Sequence, residues 1–409
     1  MEGNLSHRSL NRTPDSHPRR RVCGNKKDSD IARIEEVDPL LWAVTEIDQD
    51  TLSVAAELAR IRRGADDASS LGALHPIPIL LKGTMATEYG MKTTAVSYML
   101  LGAGTIILGR ANMSDWSSAP MPCSCSVYGG QTIGAYRLGQ DPSGLSSGSA
   151  VASSLGPAWA SLGTETSGSI THPAHMSGIV GMRPMVGLTS SYLVVPVPEH
   201  QDTVSAMARI IKDAEYLLSV VVGCDSHDKY TKMIPFEDDK MPDYVAACKK
   251  PGLHGKRLGV IWELVYEDNI DETAIPAPTC STRRSFFCVR PDRVHESHGW
   301  MRLCRNLPAY LGKLETDLDN VESLVALRNF ARSHPLERYR VASPDDTPVR
   351  QSGDGTSPNV PYGPGFAGDK FSETKAFAMA YAFEQRTRVR GSIEPYVRPT
   401  TELTEVVRR

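Results

Sequence analysis

The 409-residue sequence has no run of eighteen apolar residues, the length that a helix needs to cross a membrane. It also has little net charge, −3 at pH 7, which argues against a general nucleic-acid-binding protein. The first 30 residues contain no apolar core and therefore cannot act as a secretory signal. Hydrophobic and charged contents of 40% and 23% are ordinary for globular proteins. We therefore expect a soluble, cytoplasmic protein without a membrane or nucleic-acid partner.

The cysteines do not form the pairs that a structural zinc site requires. Cys123 and Cys125 make a C-x-C step, but no second pair follows at zinc spacing. The eight cysteines are scattered, at positions 23, 123, 125, 224, 248, 280, 288 and 304. We therefore expect reduced, structural thiols and no bound metal.

Local patterns predict an α/β protein. Short apolar runs indicate buried strands in residues 75–83, 105–116 and 255–262, whereas apolar residues at helical spacing indicate helices in residues 50–62, 150–160, 203–223 and 372–387. Ser372 is the predicted N-cap of the last helix. Because buried strands and helices alternate, we expect a mixed sheet covered by helices.

Two Gly/Ser-rich loops interrupt this pattern, the first at residues 141–150 (DPSGLSSGSA) and the second at residues 163–170 (GTETSGSI). A serine nucleophile needs a base and backbone N–H donors, and glycine lets a loop curl around an oxyanion. His172 and His175 follow the second loop, but no acid is arranged to orient them, so packing or solvent exposure competes with a place in a substrate cleft. A buried lysine is an alternative base, and Lys82 ends an apolar strand.

Longer stretches carry a resemblance to a known family. GQDPSGLSSGSAVASSLGPAWASLGTETSGSI and the following GIVGMRPMVGLTS closely resemble the signature of the amidase signature family of serine hydrolases, in particular its fungal branch. Further matches include IPILLKG, IILGRANMSDW, QDTVSAMARIIKDA and AYAFEQRTRVRG, so the resemblance extends from about residue 40 to the end. It implies the α/β amidase signature fold, with a mixed β-sheet core covered by α-helices.

The resemblance also implies a domain organisation. Residues 31–409 would form a single amidase signature domain, with irregular insertions or replacements near 270–306 and 343–365, where the sequence has no regular period. Residues 1–30 would form a disordered, polar and basic tail that includes Arg19, Arg20 and Arg21.

The resemblance further implies a Ser–cisSer–Lys triad that hydrolyses small carboxamides without a metal or organic cofactor. Lys82 matches the base and Ser169 the nucleophile, while the backbone N–H groups of the turn that contains Thr166, Ser167 and Gly168 would hold the oxyanion. The bridging serine, which follows a cis peptide bond, would carry the proton between Ser169 and Lys82.

The position of that bridge departs from the family pattern. The first residue after Gly144 is Leu145, which lies 24 residues before Ser169, the separation that the family has. Ser146 matches the second serine of the family loop, which assists but is not the bridge. Leucine has no hydroxyl and cannot pass a proton. Two interpretations follow: an amidase-type hydrolase impaired by Leu145, or a catalytically inactive homologue. A scaffold that binds nucleic acid through the basic tail ranks behind both, because the tail is short and the net charge negative.

Other departures also make the family pattern incomplete. Gly83 stands where the family has a carboxylate or amide residue, and Gly102-Ala103-Gly104 stands where the family has a further helix. The remaining crossover is just long enough to join two parallel strands. Misplaced exon boundaries or a decaying gene copy would both produce this pattern.

Overall fold

The computed structural model describes residues 29–67, 70–86, 95–114, 125–126, 128–236, 240–259, 306–313, 359–361 and 363–401, together with residues 323, 325, 326, 329 and 333. The first helix begins at Ser29, close to the predicted start of the ordered chain. The predicted tail before residue 29, most of 270–306 and all of 343–358 lie outside the described residues, as do Cys123 and the Trp116 segment.

Eight strands belong to the described part of the chain. They are β1 Val44–Ile47, β2 Pro78–Lys82, β3 Ile106–Ala111, β4 Cys125–Ser126, β5 Gly130–Gln131, β6 Ala160–Glu165, β7 Val180–Gly181 and β8 Thr203–Ala208. Six of them build a mixed sheet with the order β1-β3-β2-β6-β8-β7, and β4 and β5 form a separate hairpin. Strands β3, β2 and β6 are parallel to one another, whereas β1, β8 and β7 run antiparallel to the strands they pair with. The expected α/β fold with a mixed sheet is confirmed.

Helices cover both faces of this sheet. The helices are α1 Ser29–Leu41, α2 Thr51–Gly64, α3 Ala95–Gly102, α4 Ser147–Leu155, α5 Thr171–Met176, α6 Ile211–Val221, α7 Tyr244–Ala247 and α8 Glu373–Thr387, with 3-10 helices at Lys229–Met233 and Val389–Ser392. Helix α4 packs its Val151 and Leu155 against Leu80 and Leu108 on one face. On the other face, α3 and α6 enclose a second core around Leu81.

The described end of the crossover from β2 to β3 returns tightly to the sheet. Helix α3 ends at Gly102, and β3 pairs in parallel with β2 from Ile106 onward. Gly104 has a φ of +73°, and a Cβ there would lie 2.6 Å from the His75 ring. Glycine therefore allows the tight return that the sequence predicts here.

The single helix predicted for residues 203–223 is wrong in its first third. Residues 203–208 form β8, which lies between β6 and β7, and α6 begins only at Ile211. Every residue of β8 is buried, and a fully buried strand shows no alternation that would separate it from a helix. The helix predicted for residues 150–160 is shifted, because α4 spans Ser147–Leu155 and Ala160 already belongs to β6. Here too every residue of the helix is buried, so the burial pattern does not mark where the helix ends.

The helix at residues 372–387 is confirmed as α8, with Ser372 at its N-cap. The Ser372 hydroxyl donates to the Asp369 carbonyl instead of accepting from the helix.

No strand forms over residues 255–259, and the rest of the strand predicted at 255–262 lies outside the described residues. No helix in the described parts of the chain is long and apolar enough to span a bilayer.

A buried carboxyl lies between α6 and α7, away from the two Gly/Ser-rich loops. Glu215 is fully buried, and its Oε2 accepts from the Cys248 thiol at 2.5 Å. Its Oε1 has no hydrogen-bond partner among the described residues. Burial raises the pKa of Glu215 from 4.5 to about 8, and the nearby Asp243 and Glu384 carboxylates act in the same direction.

This raised pKa predicts a pH-dependent stability. Below about pH 4.5 the Glu215 carboxyl is protonated in both the folded and the unfolded chain, so its ionisation does not reduce the free energy of unfolding. Between about pH 4.5 and 8 only the unfolded chain ionises, which lowers the free energy of unfolding by ~1.4 kcal/mol per pH unit. We expect Glu215→Gln to be about 5 kcal/mol more stable than the wild type above pH 8, which is ~1.4 kcal/mol per unit over about 3.5 pH units, and no more stable near pH 4. Urea unfolding at both pH values measures this difference, and an equal gain at both would contradict the assignment to Glu215.

Candidate active site

The lysine predicted as a base lies at the end of a central strand. Lys82 is the last residue of β2, and the strand's alternation places it on the same face as Leu80, the face that α4 covers. Its side chain is fully buried. The nitrogen Nζ lies 2.7 Å from Thr164 Oγ1 and 3.3 Å from the Thr164 carbonyl oxygen. Burial at a strand end is the environment that the sequence predicts for this lysine.

The first loop turns sharply before α4. Ser143 and Gly144 have φ values of 61° and 64°, and the Ser143 N–H donates to Asp141 Oδ1 at 2.8 Å. A Cβ on Gly144 would lie 2.6 Å from Pro173, so this turn packs directly against α5. Leu145 follows, half-buried, and its carbonyl accepts from the Ser114 N–H at 3.3 Å. The Gly144–Leu145 bond is trans, since the cis peptide bond among the described residues joins His75 and Pro76.

The structure brings both loops together. The Ser146 N–H donates to the Ser169 carbonyl at 3.0 Å, so the residues after Gly144 run beside the predicted nucleophile. Ser169 is 2% exposed, and no hydrogen bond within the described residues involves its hydroxyl. Leu145 therefore lies at the edge of the first loop that borders Ser169, as its sequence separation predicts.

Ser146 and Thr164 form the polar link toward Lys82. The Ser146 hydroxyl donates to the Thr164 carbonyl at 3.1 Å and lies 3.3 Å from the Thr164 nitrogen. The Thr164 hydroxyl in turn contacts Lys82 and lies 3.4 Å from Thr84 Oγ1. Position 145 supplies no hydroxyl between Lys82 and Ser169, because its side chain is leucine. No sequence pattern predicts Thr164 as a site residue.

Glu165 organises the second loop from inside the protein. This buried carboxylate accepts the N–H groups of Gly168, Ile170 and Thr171 at 2.8–2.9 Å. The Thr171 hydroxyl adds a contact at 3.2 Å, and Arg183 Nε lies 3.5 Å away. Donors on both sides of the nucleophile thus converge on one side chain, which makes the loop rigid.

This arrangement changes the set of oxyanion donors. Because the Gly168 N–H already donates to Glu165 Oε1, it differs from the free donor that the family resemblance implies. Within the described residues the N–H groups of Ser167 and Ser169 make no hydrogen bond, and Ser167 is exposed. These two N–H groups, on either side of Gly168, are therefore available as donors to an oxyanion.

The side chain and carbonyl of Thr166 bond away from the nucleophile, and neither contact involves its N–H group. Its hydroxyl donates to Asp202 Oδ1 at 2.5 Å, and its carbonyl accepts from Arg183. Glu165, Arg183 and Asp202 are not among the residues that the sequence predicts for the site. Glu165 is a carboxylate inside the second Gly/Ser-rich loop, three residues before Gly168, and this position is the signal that sequence reasoning could have used.

The remaining serines of the first loop and α4 have structural roles. Ser149 and Ser153 bond to β6, and Ser154 bonds to the Ser177 carbonyl. The Ser147 hydroxyl is buried without a partner among the described residues. Gly148 permits the close packing of α4, because a Cβ there would lie 2.4 Å from the Ala43 carbonyl oxygen.

The two histidines lie on α5 beyond the nucleophile. His172 is exposed, and its ring stands 3.2 Å from the point where a Cβ of Gly168 would be. His175 accepts a hydrogen bond from the Gly363 N–H at 3.3 Å, and burial lowers its pKa. No group of three or more His, Cys, Asp or Glu side chains in the described part of the chain is placed to hold a metal ion.

Comparison with known proteins finds matches along most of the chain. The amidase family model matches residues 29–275. An amidase-family protein of the fungus Arthroderma benhamiae is 33% identical over 92% of this chain and 81% of its own length. That alignment runs over 487 positions, more than the 409 residues here, so the relative carries segments that this chain lacks.

Three further proteins are similar to this chain, one in sequence and two in structure. An amidase-family protein of the plant Arabidopsis thaliana is 38% identical over 56% of this chain, and the match spans 48% of that relative's length. The crystal structure of peptide amidase from Stenotrophomonas maltophilia matches 92% of this chain and 96% of its own, with 25% identity and a TM-score of 0.67. An amidase-family structure from Bacillus anthracis shares the fold at a TM-score of 0.72.

The family model spans more than half of the chain, and the Arthroderma relative aligns along most of both sequences. The chain therefore belongs to the amidase family, and its fold is the amidase fold.

Proposed function

We propose that this protein is an amidase-type hydrolase that cleaves the C–N bond of small carboxamides through an acyl-enzyme on Ser169. The observation that carries the proposal is the meeting of the two loops with a buried lysine. The Ser146 N–H holds the Ser169 carbonyl, while Lys82 lies on the other side of Thr164. A nucleophile, a base and two N–H donors then share one end of the sheet.

In the proposed reaction, neutral Lys82 is the final acceptor of the Ser169 proton as the serine oxygen attacks the amide carbonyl. The N–H groups of Ser167 and Ser169 would stabilise the oxyanion. The amine departs with a proton returned from the lysine, and water then attacks the acyl group while Lys82 again takes the proton. The bond between the acyl group and Ser169 Oγ then breaks, the carboxylic acid leaves, and Ser169 takes the proton back from Lys82. Oxygen atoms around the lysine, including the Thr164 carbonyl, stabilise its ammonium form.

The step that this chain performs poorly is the transfer between Ser169 and Lys82. A bridging acid–base group contributes about 10²–10⁴-fold to a rate, and Leu145 cannot supply it. The Thr164 hydroxyl contacts Lys82, but the Ser146 hydroxyl bonds to the Thr164 backbone and not to Ser169 Oγ. We therefore propose an impaired enzyme, and the inactive homologue is the alternative outcome of the test.

Hydrolysis of a panel of simple aliphatic and aryl amides tests the proposal. Release of ammonia or amine is measured for the wild type and for Leu145→Ser, each alone and combined with Ser169→Ala or Lys82→Met. We expect slow release by the wild type, faster release by Leu145→Ser, and loss of both with either second substitution. Release that persists in Ser169→Ala, or no release by any variant, would contradict the proposed function.

A further inference from the structure

The end of β6 separates two buried groups of opposite charge. On one side, Leu81 of β2 pairs with Leu162, so the next residue, Lys82, lies beside the end of β6. On the other side, Thr203 of β8 pairs with Glu165, so Asp202 lies beside the start of the second loop's turn. The sheet order β2-β6-β8 thus places a lysine and an aspartate on either side of the same strand end.

Asp202 is held firmly in this position. It is 6% exposed, its Oδ1 accepts from the Thr166 hydroxyl at 2.5 Å, and its Oδ2 accepts from the Val197 N–H at 2.8 Å. Thr164 contacts Lys82 and Thr166 contacts Asp202, so two threonines at one strand end connect the two charges. Thr164 and Thr166, which make these two hydrogen bonds, shortly precede the nucleophile Ser169 in the chain.

Other charged groups surround this pair. Lys82 on β2 favours the ionised form of Asp202, whereas Glu199, in the loop before β8, disfavours it. Burial acts most strongly and raises the pKa of Asp202. Glu165 on β6 is satisfied by three N–H groups and lies 3.5 Å from Arg183, which also donates to the Gln201 carbonyl. Lys82 is therefore the cation that faces Asp202 from the other side of the β6 end.

We propose that Asp202 is a positioning residue, whose carboxylate stabilises the ammonium form of Lys82 and ties that charge through Thr166 to the nucleophile's turn. The proposal rests on the proposed function, in which Lys82 is the base. A base must hold the proton it accepts, and a buried ammonium needs an opposite charge. Without the Asp202 charge, Lys82 loses its proton at a lower pH and becomes a weaker base.

The titration of Lys82 tests this directly, without any need for catalysis. In protein labelled with ¹³C at the lysine ε-carbons, the Lys82 signal is identified by its absence in Lys82→Met, and its midpoint is followed with pH. We expect Asp202→Asn to lower the midpoint by about one unit or more, because it removes a nearby negative charge. Asp202→Glu should retain most of the wild-type midpoint.

Two controls separate charge from structure. Glu199→Gln removes a partly exposed charge of the same sign, one that pairs with Lys229, and should move the Lys82 midpoint far less than Asp202→Asn. Thr166→Val removes the hydrogen bond but leaves the carboxylate, so a midpoint lowered by Thr166→Val but unchanged by Asp202→Asn would overturn the proposal. The proposal would also be overturned if the Lys82 midpoint were the same in Asp202→Asn, Asp202→Glu and Glu199→Gln as in the wild type.

The same substitution in the Leu145→Ser background distinguishes this proposal from the proposed function. If Asp202→Asn moves the acidic limb of the pH–rate profile of amide hydrolysis to lower pH, the proposed function and the role of Asp202 are both supported. A lowered Lys82 midpoint together with no hydrolysis in any background supports the charge pairing while the proposed function fails. An unchanged midpoint with full hydrolysis supports the proposed function and overturns the role of Asp202.

Discussion

Replacement of Leu145 by serine is expected to raise the rate at which a fluorophosphonate labels Ser169 by about 10²–10⁴-fold, the contribution of a positioned acid–base group. The reason is geometric. Gly144 packs on Pro173 and the Ser146 N–H bonds to the Ser169 carbonyl, so residue 145 is held beside the nucleophile from both sides. The labelling rate is measured by mass spectrometry of the Ser169 peptide over time.

Leu145→Ala is the matched control, because it removes the leucine branch without adding a hydroxyl. We expect its labelling rate to stay near that of the wild type. Equal acceleration in Leu145→Ser and Leu145→Ala would show that the leucine blocks access and that a proton relay is not what is missing. Absence of labelling in all three proteins, with folding intact, would contradict Ser169 as the nucleophile.

The second large effect is expected at Glu165. Substitution Glu165→Gln leaves one acceptor oxygen for three N–H groups and turns an amide NH₂ toward the remaining donors. Arg183 loses its carboxylate partner as well. Since buried donors without acceptors are costly, we expect the free energy of unfolding to fall by about 2–4 kcal/mol. Urea unfolding measures this loss, and labelling of Ser169 in the Leu145→Ser background should fall more than about tenfold because the turn is no longer held.

Glu57→Gln provides the comparison for a surface carboxylate. Glu57 pairs with Arg60 at 2.7 Å, and both side chains are exposed. Exposed ion pairs contribute little, so this substitution should lower the free energy of unfolding far less than Glu165→Gln does. A similar loss in Glu57→Gln and Glu165→Gln would contradict the special role of the buried carboxylate.

Much of the site could be predicted from short sequence patterns. Lys82 ends a strand in which every residue is buried, and Ser169 follows a glycine whose flexibility suits a turn. The separation between Leu145 and Ser169 matches that of the family, so the resemblance implies that the two loops meet, and the hydrogen bond from Ser146 to Ser169 is consistent with it. The assignment of Lys82 and Ser169 as base and nucleophile rests on the family motifs around them, because a lysine after an apolar strand and a serine in a Gly/Ser loop are each common.

The site residues that no sequence pattern predicts depend on distant partners. Glu165 satisfies N–H groups three to six residues away, but its importance follows from its burial and from its contact with Arg183. Asp202 directly precedes a stretch that the pattern predicts as helix, and only its place beside β6 reveals the charge that it presents toward Lys82. The wrong prediction at 203–208 hides this neighbour, because a buried strand carries no alternation.

Contiguous motifs were enough to identify the family, the mixed α/β architecture, the lysine and serine of the candidate site, and the anomalous leucine. The three-dimensional arrangement was needed to show which backbone N–H groups stay free, since Glu165 takes the Gly168 donor that a motif alone would assign to an oxyanion. It was also needed to show which charges meet, since strand order brings Lys82 and Asp202 from distant parts of the chain to one strand end. Hydrogen-bond competition and electrostatic pairing act through space, and for that reason no linear pattern could have shown them.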